Sequence, residues 1–483
     1  MVAGDLTTAV DVVVLGAGPG GYVAAIRAAQ LGKSVVIIDR EARPGGTCLN
    51  SGCIPLKALV SASERYAQVT DAATLLAMGI AVGAGQLDFP KMQDWKQSIV
   101  TRLTEGVNRL LKGNHVEQIH GLGYFMSDHE MRVEGEYGSH RFSFEHCVLA
   151  VGADPVALPD LPFDGKTILT PPQALALPAL PPALAIWGQD YIALELATTL
   201  ARLGTKVTLL VPGERPLPDI EAVAVRLAMA GLRKLGVGVV NEVGLPLAGP
   251  TGITYYNGKA GTVTLPTTTP LVVCGEVQAR THDLNLHEVG LALGENGALW
   301  VGPDQRTKTE YVMAAGDCTQ HRPALATTAI KQAKVAAEAL AGRKVAYAPQ
   351  AWPQVIHTAL EIASVGLAAE QAQAAGYQIK TGRFALAANG RALTLGADAG
   401  TALIVADATN DAILGVTIVG PRAGDLISEA TLAIEMGATL TDLAEILHPH
   451  PGLGELLLES AESALGQVIH QLSNELRTGS QVR

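Results

Sequence analysis

Two turns rich in glycine constrain the fold of this chain, because each joins an apolar strand pattern to a helix pattern of small residues. The first turn, Gly16 to Gly21, follows the β-branched run Val10 to Leu15 and precedes a helical pattern that extends to about Leu31. The run Ser34 to Asp39 then predicts a second buried strand. The order strand, glycine turn, helix, strand is typical of a βαβ unit in a parallel sheet.

The residues of the first turn indicate a ligand as well as a fold. Gly16, Gly18 and Gly21 fit the pattern G-x-G-x-x-G, in which the glycines allow a tight turn, approach of a pyrophosphate and close helix–strand packing. The N-terminus of the helix then faces the phosphates. Asp39 ends the second strand, where an acid binds a ribose 2′-hydroxyl. The segment therefore predicts a bound adenine dinucleotide.

The same kind of unit occurs a second time. The strand pattern Leu184 to Gly188 leads into a helix to about Leu203, and Lys206 to Val211 predicts the next strand. The segment Pro155 to Pro182 is rich in proline and leucine and is interpreted as a connector between domains. Three further predicted elements are a helix from Trp95 to Lys112, a strand from Val312 to Asp317 and a helix from Thr327 to Ala341.

The chain changes character from about Tyr347 onward. Alternating patterns predict strands at Ala402 to Ala406 and Ile413 to Val419, followed by helices at Leu426 to Glu435 and Leu453 to Leu476. This part is expected to be a separate α+β domain.

Composition narrows the classes of function. The 483 residues suffice for roughly three or four domains, and the net charge of −11 argues against a general nucleic-acid surface. No apolar run reaches about 18 residues without Gly, Pro or charge, so no membrane span is expected. Met1 to Val10 lacks the pattern of a signal peptide. The five cysteines are too few for a secreted disulfide framework, which indicates a reducing compartment, the cytoplasm.

Cys48 and Cys53 form the chemically most suggestive pair. Four residues separate them, and no second cysteine pair or histidine pair completes a zinc site. If a helix begins here, its N-terminal dipole and nearby Lys57 would stabilise a thiolate. The pair therefore suggests a redox-active disulfide against a bound flavin, with two unpaired buried thiols as the structural alternative. Cys147, Cys274 and Cys318 lie in or beside apolar runs and are expected to be buried structural thiols.

The segment Gly45 to Pro55, with Lys57, closely resembles the pyridine nucleotide-disulfide oxidoreductase family, and most closely its dihydrolipoamide dehydrogenase branch. The resemblance covers essentially the whole chain. It implies an α/β fold with two Rossmann-like dinucleotide-binding domains and a C-terminal α+β dimerisation domain. The implied limits are 1–153 and 282–346 for the two parts of the FAD-binding domain, 154–281 for the NAD-binding-like domain and 347–483 for the dimerisation domain.

The resemblance also implies roles for individual residues. Cys48 would exchange with the substrate disulfide, Cys53 would face the flavin, and Lys57 would pair with Glu195 near the flavin N5. The residues implied at the FAD site are Gly16, Gly18, Gly21, Asp39, Gly46, Thr47, Lys57, Gly121, Gly152, Asp317, Leu325 and Ala326. Those implied on the NAD side are Gly188, Tyr191, Glu195 and Gly275. No metal site is expected.

A base is expected near the reactive thiol, with a carboxylate to orient it, because thiol–disulfide exchange requires proton transfer. His450 and Glu455, in the segment His448 to Glu455, supply that pair. In the family this dyad reaches across the dimer interface to the disulfide of the other subunit, so a homodimer is implied. His448 is expected to be structural.

The second glycine turn departs from the family pattern Gly-x-Gly-Tyr-Ile-Gly/Ala. Asp190 stands at its second glycine, where it adds bulk and would set a carboxylate against the pyrophosphate. Val211 stands where relatives that use NAD place a glutamate, and Glu276 replaces a family arginine. These changes leave two alternatives open: NAD binds weakly or in an adjusted pose, or electrons pass to another acceptor.

The implied activity is FAD-dependent oxidation of protein-bound dihydrolipoamide through Cys48 and Cys53, with electrons passed to NAD. Its partners would be lipoyl carriers of 2-oxoacid dehydrogenase complexes or the glycine cleavage system. The alternative is a diverged flavin disulfide oxidoreductase with weak or no NAD use. A mercuric reductase is disfavoured because the tail Gly479 to Arg483 has no cysteine pair, and a glutathione-type enzyme because no basic substrate site can be placed. The cysteine pair and dyad argue against a non-catalytic assembly protein.

Overall fold

The first sheet combines strands from the start of the chain with one strand from much later. A computed structural model describes residues 7–83, 85–136, 138–249, 252–258, 261–320 and 323–472. The elements up to residue 149 are β1 Thr7–Leu15, α1 Pro19–Gln30, β2 Val35–Asp39, α2 Gly46–Asn50, α3 Cys53–Thr70, α4 Ala72–Ala77, α5 Phe89–Gly113, β3 Glu117–His120, β4 Leu122–Ser127, β5 Glu130–Gly135 and β6 Gly138–Leu149. The strand order is β3-β2-β1-β6-β5-β4.

The four strands β3, β2, β1 and β6 run parallel, whereas β4, β5 and β6 form an antiparallel meander. Val12 to Leu15 and Val35 to Ile38 are buried on both faces of the sheet, which is typical of a parallel sheet covered on both sides. The glycine turn after β1 therefore lies at the carboxyl edge of this sheet, where α/β folds bind their ligands.

The second sheet is built from the next part of the chain. Its elements are β7 Ala153–Pro155, β8 Ile168–Leu169, α6 Pro171–Leu175, β9 Ala183–Trp187, α7 Tyr191–Arg202, β10 Lys206–Leu210, α8 Ala222–Lys234, β11 Gly238–Val240, β12 Leu247–Gly249, β13 Gly252–Asn257, β14 Gly261–Pro266, β15 Leu271–Val273 and β16 Val277–Ala279. Strands β11-β10-β9-β15-β8 form a parallel sheet, and β12-β13-β14 form a separate antiparallel one. Strands β7 and β16 pair with each other where the chain leaves the first sheet and returns to it.

The chain then completes the first sheet before it builds the last one. Strand β17, Val312–Ala314, pairs in parallel with β6, and α9, Ala326–Leu340, packs on α1 through small buried residues on both helices. The remaining elements are β18 Gln354–His357, β19 Glu361–Gly366, α10 Ala369–Ala374, β20 Ile379–Ala385, α11 Gly390–Thr394, β21 Thr401–Asp407, β22 Ile413–Val419, α12 Ala423–Glu435, α13 Leu440–Ala444 and α14 Glu455–Leu465. Strands β18-β19-β22-β21-β20 form an antiparallel sheet.

One buried apolar cluster packs helix α3, helix α7 and strand β18 against each other. It contains Leu56 from α3, Leu194 from α7 and Ile356 from β18, each at most 3% exposed. Each of these residues has a neighbour in sequence with a polar or charged side chain, namely Lys57, Glu195 and His357. Packing of the apolar side chains therefore brings three distant polar side chains together.

Two sequence-based element predictions are wrong in part. The helix predicted from Leu453 to Leu476 ends at Leu465, because Gly466 takes a left-handed backbone conformation at its C-terminus; the predicted residues from 473 onward lie outside the described part. The segment interpreted as a connector contains β8, which joins the second sheet, and α6, whose capping box is formed by Thr170 and Gln173. In the described residues no helix has the length and apolarity needed to cross a bilayer.

Candidate active site

Cys48 and Cys53 lie at a break between two helices. Cys48 is in the short helix α2, Gly52 interrupts the helical path, and Cys53 is the first residue of α3. Both side chains are half-buried, and the structure describes them as free thiols that hydrogen-bond to each other. A cysteine at a helix N-terminus beside a lysine is a typical environment for a stable thiolate.

The two thiols differ in acidity. The hydrogen bond with Cys48 and the charge of Lys57 outweigh burial and lower the pKa of Cys53 to about 7. The pKa of Cys48 is raised instead, first by its hydrogen bond with Cys53 and then by burial. Cys53 is therefore the thiolate of the pair and Cys48 its donor. Asp317 is close enough for its charge to act against ionisation of both thiols.

Lys57 is held by a buried carboxylate. Its Nζ lies 2.5 Å from Oε2 of Glu195, whose side chain is fully buried. The other oxygen, Oε1, accepts a hydrogen bond from the backbone N–H of His357 at 2.9 Å and lies 3.1 Å from its Nδ1. Burial alone would raise the pKa of Glu195, but the hydrogen bonds of His357 and the charge of Lys57 hold that pKa below its usual range. Glu195 is therefore a carboxylate.

Tyr191 completes this cluster on the side of α7. Nζ of Lys57 lies 5.6 Å from the centroid of the Tyr191 ring, within the range of a cation–π contact. The ring also lines a cavity of about 180 Å³ with Leu325, Ala326 and Thr327, at the start of α9, and with residues of β18. The predicted residues Tyr191, Leu325 and Ala326 thus lie around one cavity beside Lys57.

The first glycine turn leaves the start of α1 open. A Cβ at Gly16 would lie 2.3 Å from the Ala150 oxygen, and one at Gly21 would lie 1.7 Å from the Gly16 oxygen, so packing demands both glycines. A Cβ at Gly18 would meet only the Gly46 Cα, at 3.8 Å, so packing alone does not demand that glycine. No side chain caps α1 at Gly18. Its first N–H groups therefore suit an external anion, as a dinucleotide pyrophosphate requires.

Other predicted FAD-site residues surround this turn. Asp39 accepts hydrogen bonds from the N–H groups of Ala17 and Glu41, and burial raises its pKa. A Cβ on Gly46 would lie 2.6 Å from the Gly18 Cα, so Gly46 packs directly on the turn, and Thr47 follows it in α2. The backbone N–H of Gly121 donates to the backbone carbonyl of Asp39 at 2.9 Å. The carbonyl of Gly152 accepts from Arg280 N–H at 3.0 Å, at the crossing between the two sheets.

The second glycine turn differs at the same position. Asp190 is the N-cap of α7, and its Oδ1 accepts a hydrogen bond from the Ala193 N–H at 2.9 Å. Burial raises the pKa of Asp190 to about 6, against the hydrogen bonds it accepts. The sequence suggested a carboxylate facing a bound pyrophosphate; here the carboxylate is turned onto the helix start. The Asp190 side chain thus occupies the N–H of Ala193. At the corresponding turn before α1, no side chain occupies the N–H groups of the helix start.

The loop after β10 is also tied to this turn. Gln189 Oε1 accepts from the Gly213 N–H at 3.1 Å, and the Gln189 carbonyl accepts from the Leu217 N–H at 2.8 Å. Val211 is fully buried and offers no polar group to a ribose. Glu276 is exposed, between the left-handed Gly275 and strand β16, and Gly188 packs against Cys274. The residues present therefore fit a dinucleotide less well here than at the first turn.

His450 and Glu455 form the predicted pair. His450 Nδ1 lies 2.6 Å from Glu455 Oε1, and Glu455 Oε2 accepts from the Gly452 N–H at 2.9 Å. Burial would raise the pKa of Glu455, but these hydrogen bonds hold it below its usual range. The His450 side chain is 83% exposed, and among the described residues no hydrogen bond or ion pair connects it to the cysteines of its own chain. His448 is buried, with its Nε2 2.9 Å from Glu429 Oε1.

Sequence reasoning missed two residues of these sites, His357 and Gln189. His357 ends a strand and carries no motif, and only the packing of β18 on α7 reveals its contact with Glu195. Gln189 occupies the variable position of the glycine turn, so the pattern says nothing about its side chain. Neither residue has a local sequence signal that could have identified it.

A dithiol beside a lysine–glutamate pair, on a chain with two dinucleotide-type units, defines a thiol–disulfide oxidoreductase. The model of the pyridine nucleotide-disulphide oxidoreductases matches residues 10–333, and the model of the family's dimerisation domain matches residues 352–461. The chain belongs to the pyridine nucleotide-disulphide oxidoreductase family.

Curated relatives support this assignment over nearly the full length. The chain is 40% identical to a dihydrolipoyl dehydrogenase of Geobacillus stearothermophilus, over 97% of this chain and 99% of the relative. It is 37% identical to the dihydrolipoyl dehydrogenase of Bacillus subtilis, over 97% and 99% of the two chains. The sequence-based prediction of an enzyme resembling the dihydrolipoamide dehydrogenases is confirmed.

Solved structures share the fold. LpdA from Mycobacterium tuberculosis matches with a TM-score of 0.84 and 25% identity, covering 94% of this chain and 99% of that one. The HOCl-induced flavoprotein disulfide reductase RclA from Escherichia coli matches in fold with a TM-score of 0.81, at 23% identity and over 94% and 99% of the two chains. The predicted α/β fold with two Rossmann-like domains and a C-terminal α+β domain is thereby confirmed; the domain limits at 153, 281 and 346 stay predictions.

Proposed function

We propose that this enzyme oxidises the dihydrolipoyl group of a carrier protein through its Cys48–Cys53 pair, with FAD as resident cofactor. The observation that carries the proposal is the thiolate environment of Cys53, at the start of α3 and beside Lys57. The relatives named dihydrolipoyl dehydrogenase support the choice of dithiol. The carrier would belong to a 2-oxoacid dehydrogenase complex or to the glycine cleavage system, in the cytoplasm.

The exchange begins from the oxidised cysteine pair. A substrate thiolate attacks Sγ of Cys48, the Cys48–Cys53 bond breaks, and its electron pair goes to Cys53 as a thiolate. The second substrate thiol attacks the substrate sulfur that is bonded to Cys48, and its proton passes to the departing Cys48 sulfur. The mixed disulfide breaks, Cys48 leaves as a thiol, and the substrate disulfide closes. Two electrons now reside on the enzyme's sulfurs, and Lys57 with the Cys48 thiol stabilises the anion on Cys53.

His450 is the base for these steps. Because Glu455 is ionised and only accepts hydrogen bonds, Nδ1 of His450 carries the proton of their 2.6 Å contact. Nε2 of the neutral imidazole is then free to take a proton from the substrate thiol. Glu455 holds the ring and stabilises the imidazolium. The exposure of His450 in a single chain supports a role at the disulfide of a second subunit, hence a homodimer.

FAD would be held by the residues around the first glycine turn, which fit it. The open start of α1 at Gly18 suits the pyrophosphate, Asp39 the ribose, and Asp317 with the start of α9 the remainder. When bound, FAD accepts the two electrons from the reduced cysteine pair. Lys57, Glu195 and Tyr191 would stand beside its ring, where the positive charge of Lys57 favours added electron density.

The acceptor after FAD has two candidates. Membership of the family supports NAD. The capping of α7 by Asp190, together with buried Val211 in place of a ribose-binding acid, supports the second candidate, weak or absent NAD use with another electron acceptor. The dithiol half of the reaction is common to both.

An anaerobic stopped-flow experiment tests both halves. Dihydrolipoamide should bleach the flavin and produce thiolate–flavin charge-transfer absorbance, and C53S should abolish that absorbance. Lack of any dithiol-driven spectral change would refute the dithiol proposal. NAD is then added to the reduced enzyme. Prompt reoxidation at micromolar NAD would exclude the second candidate, whereas no reoxidation would exclude NAD as acceptor.

A further inference from the structure

Glu195 is the meeting point of three distant parts of the chain. It lies on α7, it contacts Lys57 on α3 through Oε2, and it contacts His357 on β18 through Oε1. Its side chain is fully buried, so its oxygens depend on partners supplied by the protein. A buried carboxylate requires such partners because transfer of a charge out of water is costly.

His357 makes two of the contacts that hold this carboxylate. Its backbone N–H donates to Oε1 at 2.9 Å, and its Nδ1 lies 3.1 Å from the same oxygen. Because ionised Glu195 can only accept, Nδ1 must carry a hydrogen. On the other side of the ring, Nε2 lies 3.9 Å from Oε2 of Glu361, the first residue of β19. Among the described residues, the carboxylates of Glu195 and Glu361 are the charged groups that form ion-pair contacts with the imidazole.

We propose that His357 is a positioning residue for the redox centre, which deepens the proposed function. Its Nδ1–H fixes the Glu195 carboxylate, and that carboxylate fixes where Lys57 directs its charge. Lys57 in turn stabilises the thiolate of Cys53. The cysteine site thus depends on a histidine of the C-terminal sheet, with no direct contact between that histidine and either cysteine.

Loss of the Nδ1–H donor of His357 should make the Cys53 thiolate less stable, because Glu195 and Cys53 both interact with the positive charge of Lys57. Without the Nδ1–H donor, Glu195 becomes more basic and draws more of the Lys57 charge to itself. Less of that charge then reaches Cys53, so its thiolate becomes less stable. A hydrogen bond to a charged group is strong enough that the thiolate fraction of Cys53 at neutral pH should fall roughly threefold to tenfold.

The test uses three substitutions of His357 in the C48S holoenzyme, where Cys53 is the remaining thiol of the pair. H357N keeps an N–H donor at the position of Nδ1, H357Q moves the amide outward toward Glu361, and H357F has no donor. The readout is the pH titration of Cys53, followed by thiolate–flavin charge-transfer absorbance and by the rate of alkylation with iodoacetamide. H129F is the control for loss of a histidine ring elsewhere, since Nδ1 of His129 is also bonded, but to the Phe144 carbonyl.

H357N should titrate within about twofold of the parent, whereas H357Q and H357F should show the loss of thiolate, and H129F no change. Should H357F not fold, the comparison of H357N with H357Q decides. Equal titrations for H357N and H357Q, or for H357F and the parent, would overturn the positioning role. Absence of any charge-transfer absorbance in C48S itself would count against the proposed function instead, so the two failures are distinguishable.

Discussion

Oδ1 of Asp190 accepts a hydrogen bond from the backbone N–H of Ala193 at 2.9 Å, so the helix of the second dinucleotide-type unit is capped by its own chain. The corresponding helix of the first unit begins at Gly18 and has no side-chain cap. A helix start has few free N–H groups, and a pyrophosphate or a carboxylate can use them, but not both at once. This contrast between two similar units underlies the first two predictions.

Replacement of Asp190 by glycine should strengthen NAD binding. D190G frees the Ala193 N–H and removes a carboxylate from the approach of the pyrophosphate, while a glycine N-cap costs the helix only a few tenths of a kcal/mol. We expect the dissociation constant for NAD to fall by roughly tenfold or more. Isothermal titration with NAD measures it. D190N is the control, because asparagine keeps the cap without the charge; an unchanged constant in both variants would contradict the capping account.

The ionisation of Asp190 should weaken the fold as pH rises. Its folded-state pKa of about 6 lies above the ordinary value of 3.8, because burial disfavours the charged form. The stability that the protonated form contributes is complete below about pH 4 and is lost as pH rises through about 6. The Tm of D190N should therefore rise relative to that of the parent as pH increases from about 4 to about 6. The corresponding gain in unfolding free energy should be on the order of 2 kcal/mol. A difference in Tm that does not vary with pH would argue against this.

The thiol of Cys48 should control the acidity of Cys53. Its hydrogen bond is the largest cause of the lowered pKa of about 7. A serine at position 48 keeps an O–H donor and an alanine does not. The pKa of Cys53 should therefore be higher in C48A than in C48S by about one unit, as expected for a hydrogen bond to a charged group. Alkylation rates between pH 5 and 10 measure the pKa of Cys53 in both variants. Superimposable pH profiles would show that the hydrogen bond does not control this pKa.

Activity should return when two inactive subunits are combined. C48S lacks the exchanging cysteine, and H450Q should lose roughly 100-fold or more in dithiol oxidation, because its base is gone. In a C48S/H450Q heterodimer, one site would combine intact Cys48 from one subunit with intact His450 from the other. Assay of purified heterodimers, carrying different tags, should show about half the sites active. Inactive heterodimers would mean that His450 serves the cysteines of its own chain. H448Q is the control for loss of a nearby histidine.

Local patterns predicted much of the first unit. The glycines, the strand before them and the acid at the end of β2 are neighbours in sequence, so spacing alone conveys their geometry. The pair His450 and Glu455 could be predicted for the same reason, since the two residues are five apart in sequence and lie in one turn. Helix ends were predicted less well: the helix predicted to Leu476 stops at Gly466, whose backbone conformation ends it earlier than its apolar pattern suggests.

By itself, the sequence determined the fold class, the two dinucleotide-type units, the cysteine pair and the presence of an aspartate at the second turn. Only the tertiary structure decided where the Asp190 carboxylate points and that His357 shares Glu195 with Lys57. The physical reason is that a spacing pattern describes neighbours along one helix or strand, whereas Lys57, Glu195 and His357 come from three elements that only a common apolar core brings together. Hydrogen bonds to a buried carboxylate depend on that packing, not on any local motif.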